Sequence, residues 1–254
     1  MSTTQLFDLA WQGFETGRFD PSPQVGKYSY EDGERAQLEV LNRRLADGDT
    51  RVGWKVGLTS GNVRDSFGAG IRPFGYLLRS RLFASGAEVP LAGIGRAGLE
   101  TELSFRFGRR VSGEVTPDEI RAALAGVAPA FEINQDRIDG DPDPAVKAAD
   151  NLTQWAIVRG PEVTPVPDPF DWDGLVSTLS RDGVVLETVK ASGHIDDHLL
   201  SLSRLARELG KFGLAIEEGD VVITGSFTRQ RGLAPGHYEG TFAGLGAVTL
   251  TLAG

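Results

Sequence analysis

From Arg51 onward the apolar residues of this chain come in short runs, and the runs are separated by Gly, Pro and Asp. They span 51–57, 99–107, 130–134, 155–158, 185–190, 220–224 and 246–252. Runs this short, several of them rich in β-branched residues, suit strands better than helices with a buried stripe. The 33 glycines supply the tight turns that so many strand ends require. Two helices are predicted among the strands. Thr116-Pro117-Asp118-Glu119 is a capping box with Pro at the first helical position, and it predicts a helix through Ile120 to Val127. Asp196 to Lys211 carries Leu199, Leu200, Leu202, Leu205 and Leu209 at helical spacing and closes at Gly210 and Gly213. The helices do not alternate regularly with the strands. The pattern therefore predicts an α+β fold with a curved or rolled mixed sheet rather than a doubly wound one.

The front of the chain reads differently. Residues 4–17 and 31–47 have helical apolar spacing, and Pro21-Ser22-Pro23 breaks the chain between them. This predicts a small N-terminal helical cap over 1–50 and a β-roll domain over 51–254. No apolar run is long enough to cross a bilayer. Met1 to Asp8 has neither the basic nor the apolar region of a secretory signal. Together with the absence of cysteine, this predicts a cytoplasmic protein without a membrane partner.

Composition removes several chemistries. With no Cys, the chain has no disulfides, thiolate metal sites or Cys nucleophile. Three His disfavour an imidazole zinc site, and a net charge of −9 disfavours binding to nucleic acid or anionic membranes. Metal chemistry here has to use oxygen ligands, which selects hard cations such as Mg²⁺, Mn²⁺ or Ca²⁺. Gly93-Ile94-Gly95-Arg96-Ala97-Gly98 fits the dinucleotide pattern, but a strand-like run follows where a helix is needed, so it reads as a glycine turn. His194 and His198 read as the start of a helix capped by neighbouring Asp. No G-x-S-x-G elbow is present.

One constellation carries chemistry. In residues 99–107, Leu99, Thr101, Leu103, Phe105 and Phe107 share one strand face, while Glu100, Glu102, Ser104 and Arg106 share the other. Two such carboxylates start about 6.6 Å apart, close enough to hold one divalent cation. Alternation of this kind ordinarily marks a solvated outer face. Glu132 shifts the balance, because it lies inside the apolar run Pro129-Ala130-Phe131-Glu132-Ile133, where a carboxylate needs a partner. Lys55, flanked by Trp54 and Val56, is a second isolated charge and a candidate proton carrier; the alternative is a strand lysine that snorkels to water.

These segments, in this order and spacing, resemble the fumarylacetoacetate hydrolase superfamily, and within it the 2-oxo-4-pentenoate hydratase and 4-oxalocrotonate decarboxylase group. The resemblance runs from Gln37 to the C-terminus. It rests on Gly53-Trp54-Lys55-Val56-Gly57-Leu58-Thr59-Ser60, Phe74-Gly75-Tyr76-Leu77, Glu100-Thr101-Glu102, Pro129-Ala130-Phe131-Glu132-Ile133, Ala149-Asp150-Asn151 and Gly219-Asp220-Val221-Val222-Ile223-Thr224-Gly225-Ser226. It implies a fumarylacetoacetase-like β-roll with peripheral helices, a homo-oligomer, and Mg²⁺ or Mn²⁺ on Glu100, Glu102 and Glu132. It also implies a small 2-oxo acid substrate that chelates the metal through its C1 carboxylate and C2 oxygen. The candidate acid–base residues are Lys55, Asp136, Asp150 and Thr153, and the candidate substrate contacts are Leu58, Thr59, Ser60, Arg72, Gln135 and Ser226.

Three positions depart from the group's pattern. Pro73 stands where hydratases of the group carry an acid. Gln135 stands at the Asp expected two residues beyond Ile133, with Asp136 one step later, and a one-residue slip on a strand reverses the face. Thr153 replaces a Ser. The metal set is thus complete while the acid–base set is altered. The leading expectation is hydration of a 2-hydroxyalka-2,4-dienoate. Decarboxylation of a vinylogous 2-oxo diacid, C–C hydrolysis of an acylpyruvate, and a non-catalytic metal-binding assembly role stand as alternatives. Arg72 is the expected contact for a distal carboxylate.

Overall fold

The structure is a computed structural model and describes residues 3–254. Helices α1 (Thr4–Thr16) and α2 (Tyr30–Ala46) come first, and Ser29 and Asp32 close a capping box at the start of α2. The chain then runs through β1 (Arg51–Val56), β2 (Phe74–Leu78), β3 (Leu82–Ala84), β4 (Ala87–Pro90) and β5 (Ala97–Phe107). Next come α3 (Pro117–Arg121), β6 (Leu124–Gln135), α4 (Pro144–Ala149), β7 (Gln154–Arg159), β8 (Val176–Arg181) and β9 (Val184–Lys190). The chain closes with α5 (His198–Gly210), β10 (Val221–Ile223), β11 (Arg229–Arg231), β12 (Gly236–Phe242) and β13 (Gly246–Ala253).

The predicted helix after the capping box is cut short. Thr116 and Glu119 do cap α3, but the helix ends at Arg121, and Leu124 to Val127 belong to β6. The reason is tertiary: β6 pairs with β5 from Ala97↔Gln135 to Phe107↔Leu124, and that ladder outweighs the local helical preference of the Ala-rich segment. Gly93 and Gly95 lie in a turn that leads into β5, as their context predicts, and Gly98 is already in the strand. Strands β2, β3, β4, β8, β11 and β12 and helix α4 are additions that the apolar runs did not mark.

The strands form two sheets. An eight-stranded mixed sheet has the order β2-β1-β10-β5-β6-β7-β3, with β11 also on β5. A five-stranded sheet has the order β4-β13-β12-β8-β9. One continuous core holds Leu99, Leu103, Phe131 and Ile133 of the first sheet together with Tyr238, Val248 and Leu250 of the second. Gly240 on β12 permits the close approach, since a Cβ there would lie 2.8 Å from the Phe131 ring. Leu6 and Ala10 of α1 and Ala36, Val40 and Leu41 of α2 join this same core. No helix among the described residues is long and apolar enough to cross a membrane.

The other face of the larger sheet turns inward on itself, and β2 and β7 come into contact. Val52, Leu77, Ala130, Ile157 and Ile223 make a small apolar cluster there. Beside it, on the same inward face, lie the charged residues of the site.

Candidate active site and metal centre

Two central strands and the short segment after β10 build the site. Glu100 and Glu132 are direct cross-strand partners on β5 and β6, and Glu102 lies two residues along β5, on the same face. One carboxylate oxygen from each of the three lies within 4.8 Å of the others, and all three residues are buried. The neighbour of β5 on its other side is interrupted opposite Glu102: β10 pairs with residues 104–106, β11 with residues 98–100. The interruption frees the Gly225 N–H to donate to Glu102 Oε2 at 2.9 Å. Gly225 has φ +144°, and a Cβ on it would lie 2.3 Å from Thr59 Oγ1, so a side chain has no room at this bend.

Each carboxylate meets a different charge environment. Lys55 on β1 ion-pairs with Glu132 and donates to the Leu152 carbonyl at 3.3 Å. Arg229 on β11 donates to Glu100 Oε1 at 2.6 Å. Glu102 has no ion-pair partner among the described residues. Burial pushes its carboxyl well above the usual range, and the charges of Glu132 and Glu100 push it further. Burial also raises Glu132, with Lys55 pulling in the opposite direction. Burial acts the same way on Glu100, but Arg229 more than reverses it and holds that carboxyl low. Three buried carboxylates with one of them uncompensated make a site that lacks positive charge. An all-oxygen donor set of this kind fits Mg²⁺ or Mn²⁺.

The cluster opens into a cavity of about 370 Å³. Leu58, Thr59, Ser60, Thr153 and Ser226 all line it. Thr59 Oγ1 donates to the Thr224 carbonyl at 2.9 Å, and Ser226 Oγ to that of Thr228 at 2.9 Å. Thr153 Oγ1 donates to Asn134 Oδ1 at 3.1 Å. Thr153 ends a turn in which Asn151, Leu152 and Thr153 have φ of 53°, 52° and 62°. Three consecutive left-handed non-glycine residues are strained, and strain of this kind persists only where the surroundings impose it. Asn151 supplies the restraint. Its Oδ1 accepts from Tyr76 N at 2.8 Å and Gln37 Nε2 at 2.7 Å, and its Nδ2 donates to the Tyr76 carbonyl at 3.1 Å.

A profile of the family described as fumarylacetoacetate (FAA) hydrolase C-terminal matches residues 60–252. The chain belongs to the fumarylacetoacetate hydrolase family. Among curated proteins it is 31% identical to 2-hydroxyhexa-2,4-dienoate hydratase of Comamonas testosteroni, over 77% of this chain and 75% of that one. It is 29% identical to 4-oxalocrotonate decarboxylase of a Pseudomonas species, over 80% and 79% of the two chains. Among solved structures, 4-oxalocrotonate decarboxylase from Pseudomonas putida G7, complexed with magnesium and adipate, matches with a TM-score of 0.90. That match covers 100% of this chain and 99% of the other, at 21% identity.

Within this family frame, four expected site residues are placed in ways the motifs alone did not settle. Asp136 lines the cavity and Gln135 does not. The register of β6 against β5 is regular through this end, so Glu132, Asn134 and Asp136 alternate onto the inward face and Gln135 points to the opposite side. No backbone slip is needed to bring Asp136 in. Arg72 lies outside the cavity lining. Its guanidinium donates to Asp196 at 2.6 Å and Asp65 at 2.7 Å, which uses the charge expected for a distal carboxylate. Asp150 is buried behind the turn and pairs with Arg137 at 2.7 Å, away from the cavity; burial raises it to about 6 against the pull of Arg137. His198 is a buried core residue on α5 beside the N-cap Asp197, as its context predicts.

The motifs missed Arg229, Asn134 and the clamping role of Asn151. Arg229 sits on a three-residue strand with no apolar alternation to reveal it. The available signal was its spacing from Arg231, two charges at the period of a strand.

Proposed function

We propose that this protein is a divalent-metal-dependent lyase that hydrates a 2-hydroxyalka-2,4-dienoate to a 4-hydroxy-2-oxo acid. The observation that carries the reading is the buried Glu100–Glu102–Glu132 cluster with Lys55 ion-paired into it at a cavity wall. Curated relatives named as hydratases of 2-hydroxydienoic and 2-keto-4-pentenoic acids support it. Glu100, Glu102 and Glu132 would hold Mg²⁺ or Mn²⁺, which when bound supplies Lewis-acid stabilisation of negative charge on a substrate oxygen.

The chain's own residues do the rest. Lys55 holds a proton on Nζ between Glu132 and the Leu152 carbonyl and exchanges it with the dienol. A proton leaves the C2 hydroxyl, another arrives at C5, and the conjugated 2-oxo-3-ene results. Water then adds its hydroxyl at C4 and its proton at C3. The hydrogen-bonded pair Asn134–Thr153 lies one strand step beyond Glu132, about 7 Å along β6, where it orients that water. Asp136, a further step out, is the remaining acid of this wall.

Decarboxylation of a 2-oxo diacid is the second reading. Pro73 and the outward-facing Gln135 remove carboxylates at two expected positions, and loss of CO₂ needs no water-activating acid. Assays of the Mg²⁺-loaded protein on 2-hydroxypenta-2,4-dienoate and 2-oxo-hex-3-enedioate separate the two. Loss of dienol absorbance without CO₂ is the expected result. CO₂ release from the diacid replaces hydratase with decarboxylase, and no turnover of either with Mg²⁺ bound overturns both.

A cytoplasmic homo-oligomer completes the proposal. The edge strand β9 supports self-association, because Val184 and Val185 are 65% and 62% exposed on an unpaired sheet edge. Light scattering after size exclusion tests it, and a monomeric mass would remove it.

A further inference from the structure

Behind the catalytic cavity, on the opposite side of β6, lies a second cavity of about 320 Å³. It is walled by the end of α1, β2, the 93 turn and the start of β7. Its lining is mixed. Phe14, Leu78 and Trp155 are apolar, and Gln135, Arg137 and Gln154 are buried polar residues. Gln154 is 6% exposed, and its Nε2 has no hydrogen-bond partner, although it carries two N–H donors. An unmet buried donor of this kind costs roughly 1–3 kcal/mol and calls for an acceptor.

The charges point the same way. Three guanidiniums converge on this region. Arg137 is neutralised by Asp150 at 2.7 Å and Arg44 by Asp49 at 2.9 Å. Arg81, half-buried in the cavity wall, has no carboxylate partner among the described residues and lies 4.1 Å over the Trp155 ring. Burial, then the neighbouring Arg44 and Arg137, lower its pKa against a smaller opposing pull from Asp49, which is already paired with Arg44, so its charge is held at a cost. The exposed Glu15 at the rim is the only carboxylate in the lining.

We infer that this cavity is a second ligand site, which takes a small organic monocarboxylate distinct from the substrate bound at the carboxylate cluster. One uncompensated guanidinium matches one negative charge, and its planar fork matches a carboxylate. Gln154, whose buried Nε2 lacks an acceptor, lines the same cavity. Phe14, Leu78 and Trp155 provide apolar surface for the carbon body. A phosphate dianion fits less well, because the site has neither a second free cation nor a row of backbone N–H groups. The site is also placed to be felt at the catalytic cavity. Gln135 and Gln154 face this side, while their chain neighbours Asn134, Asp136 and Thr153 face the other.

The test uses the Mg²⁺-loaded protein with oxalate saturating the catalytic cavity, titrated calorimetrically with benzoate. One further benzoate per chain is expected to bind and to change Trp fluorescence, and benzamide, its neutral analogue, to bind at least tenfold more weakly. Arg81→Gln and, independently, Gln154→Glu, which keeps the side-chain shape and adds a negative charge, are each expected to weaken benzoate at least tenfold. A thermal melt of both variants confirms the fold. Absence of a second binding event, equal affinity for benzamide, or unchanged affinity in folded Arg81→Gln and Gln154→Glu overturns the proposal.

Discussion

Glu102 shows how much one side chain's setting matters. Its neighbours Glu100 and Glu132 each have a cation, whereas Glu102 has a backbone N–H and two like charges nearby. Glu102→Gln removes a metal ligand and also a buried repulsion. Mg²⁺ affinity, read by calorimetry, is expected to fall about 100-fold or more, with loss of turnover. Without metal the variant is expected to melt at or above the temperature of the parent, because the group it loses is penalised by burial. Saturating Mg²⁺ stabilises the parent by mass action and is expected to lose that effect in the variant. An unchanged Mg²⁺-induced shift in melting temperature would remove Glu102 from the ligand set. Glu132 and Lys55 were legible because each breaks a local apolar run, and Glu132 then drew in Glu100 and Glu102, whose alternation alone reads as a solvated face. Their charge partners were not legible, since Arg229 lies 129 positions along the chain from Glu100 and acts only once β11 lies on β5.

At the scale of elements, the 150–154 turn is the informative piece. It joins α4 to β7 through three left-handed residues, and the Asn151 side chain ties it to β2 and α2. The turn sets the Leu152 carbonyl against Lys55 and Thr153 against Asn134. Asn151→Gly relieves the backbone strain but removes the clamp and leaves the Tyr76 N–H without its acceptor. It is expected to cost about 2 kcal/mol in denaturant stability and to lower kcat more than it changes Mg²⁺ affinity. Equal losses in kcat and Mg²⁺ binding would show that the turn supports the whole site rather than Lys55 and Thr153. The motif Ala149-Asp150-Asn151 was visible in the sequence, yet it drew attention to Asp150. The fold reverses the emphasis: Asp150 faces Arg137, and Asn151 holds the turn. Element boundaries failed for a related reason. Residues 124–127 have helical neighbours and β-branched Val127, and only the long pairing with β5 decides between the two states.

For the molecule as a whole, several buried titratable groups act in opposite directions. His198 packs among Phe105, Trp172 and Phe227, bonds Thr224 through Nδ1 at 2.7 Å, and is lowered by burial to about 4. The unfolded chain therefore binds this proton first, and the neutral His198 contributes stability that is lost as pH falls from about 6.5 to about 4. Burial raises Glu34 to about 7 and Asp150 to about 6, so each folds more favourably protonated and loses stability as pH rises through the window above its ordinary value. These terms offset one another in the parent, and comparison with His198→Gln isolates the first. The stability gap between parent and variant is expected to change by on the order of 3 kcal/mol between pH 7 and pH 4 in chemical denaturation. A gap that stays constant over that range would rule out His198 as the source. Taken alone, the sequence determined the class of fold, the three candidate glutamates, the oxygen-ligand chemistry and the family, because strand periodicity and local motifs are properties of neighbouring residues. The tertiary structure decided which charges neutralise which. It committed Arg72 to Asp196 and Asp65, gave Asp136 rather than Gln135 to the cavity, and left Glu102 and Arg81 with no ion pair among the described residues. Electrostatic pairing depends on distances through space, and those exist only after distant strands have been brought into register.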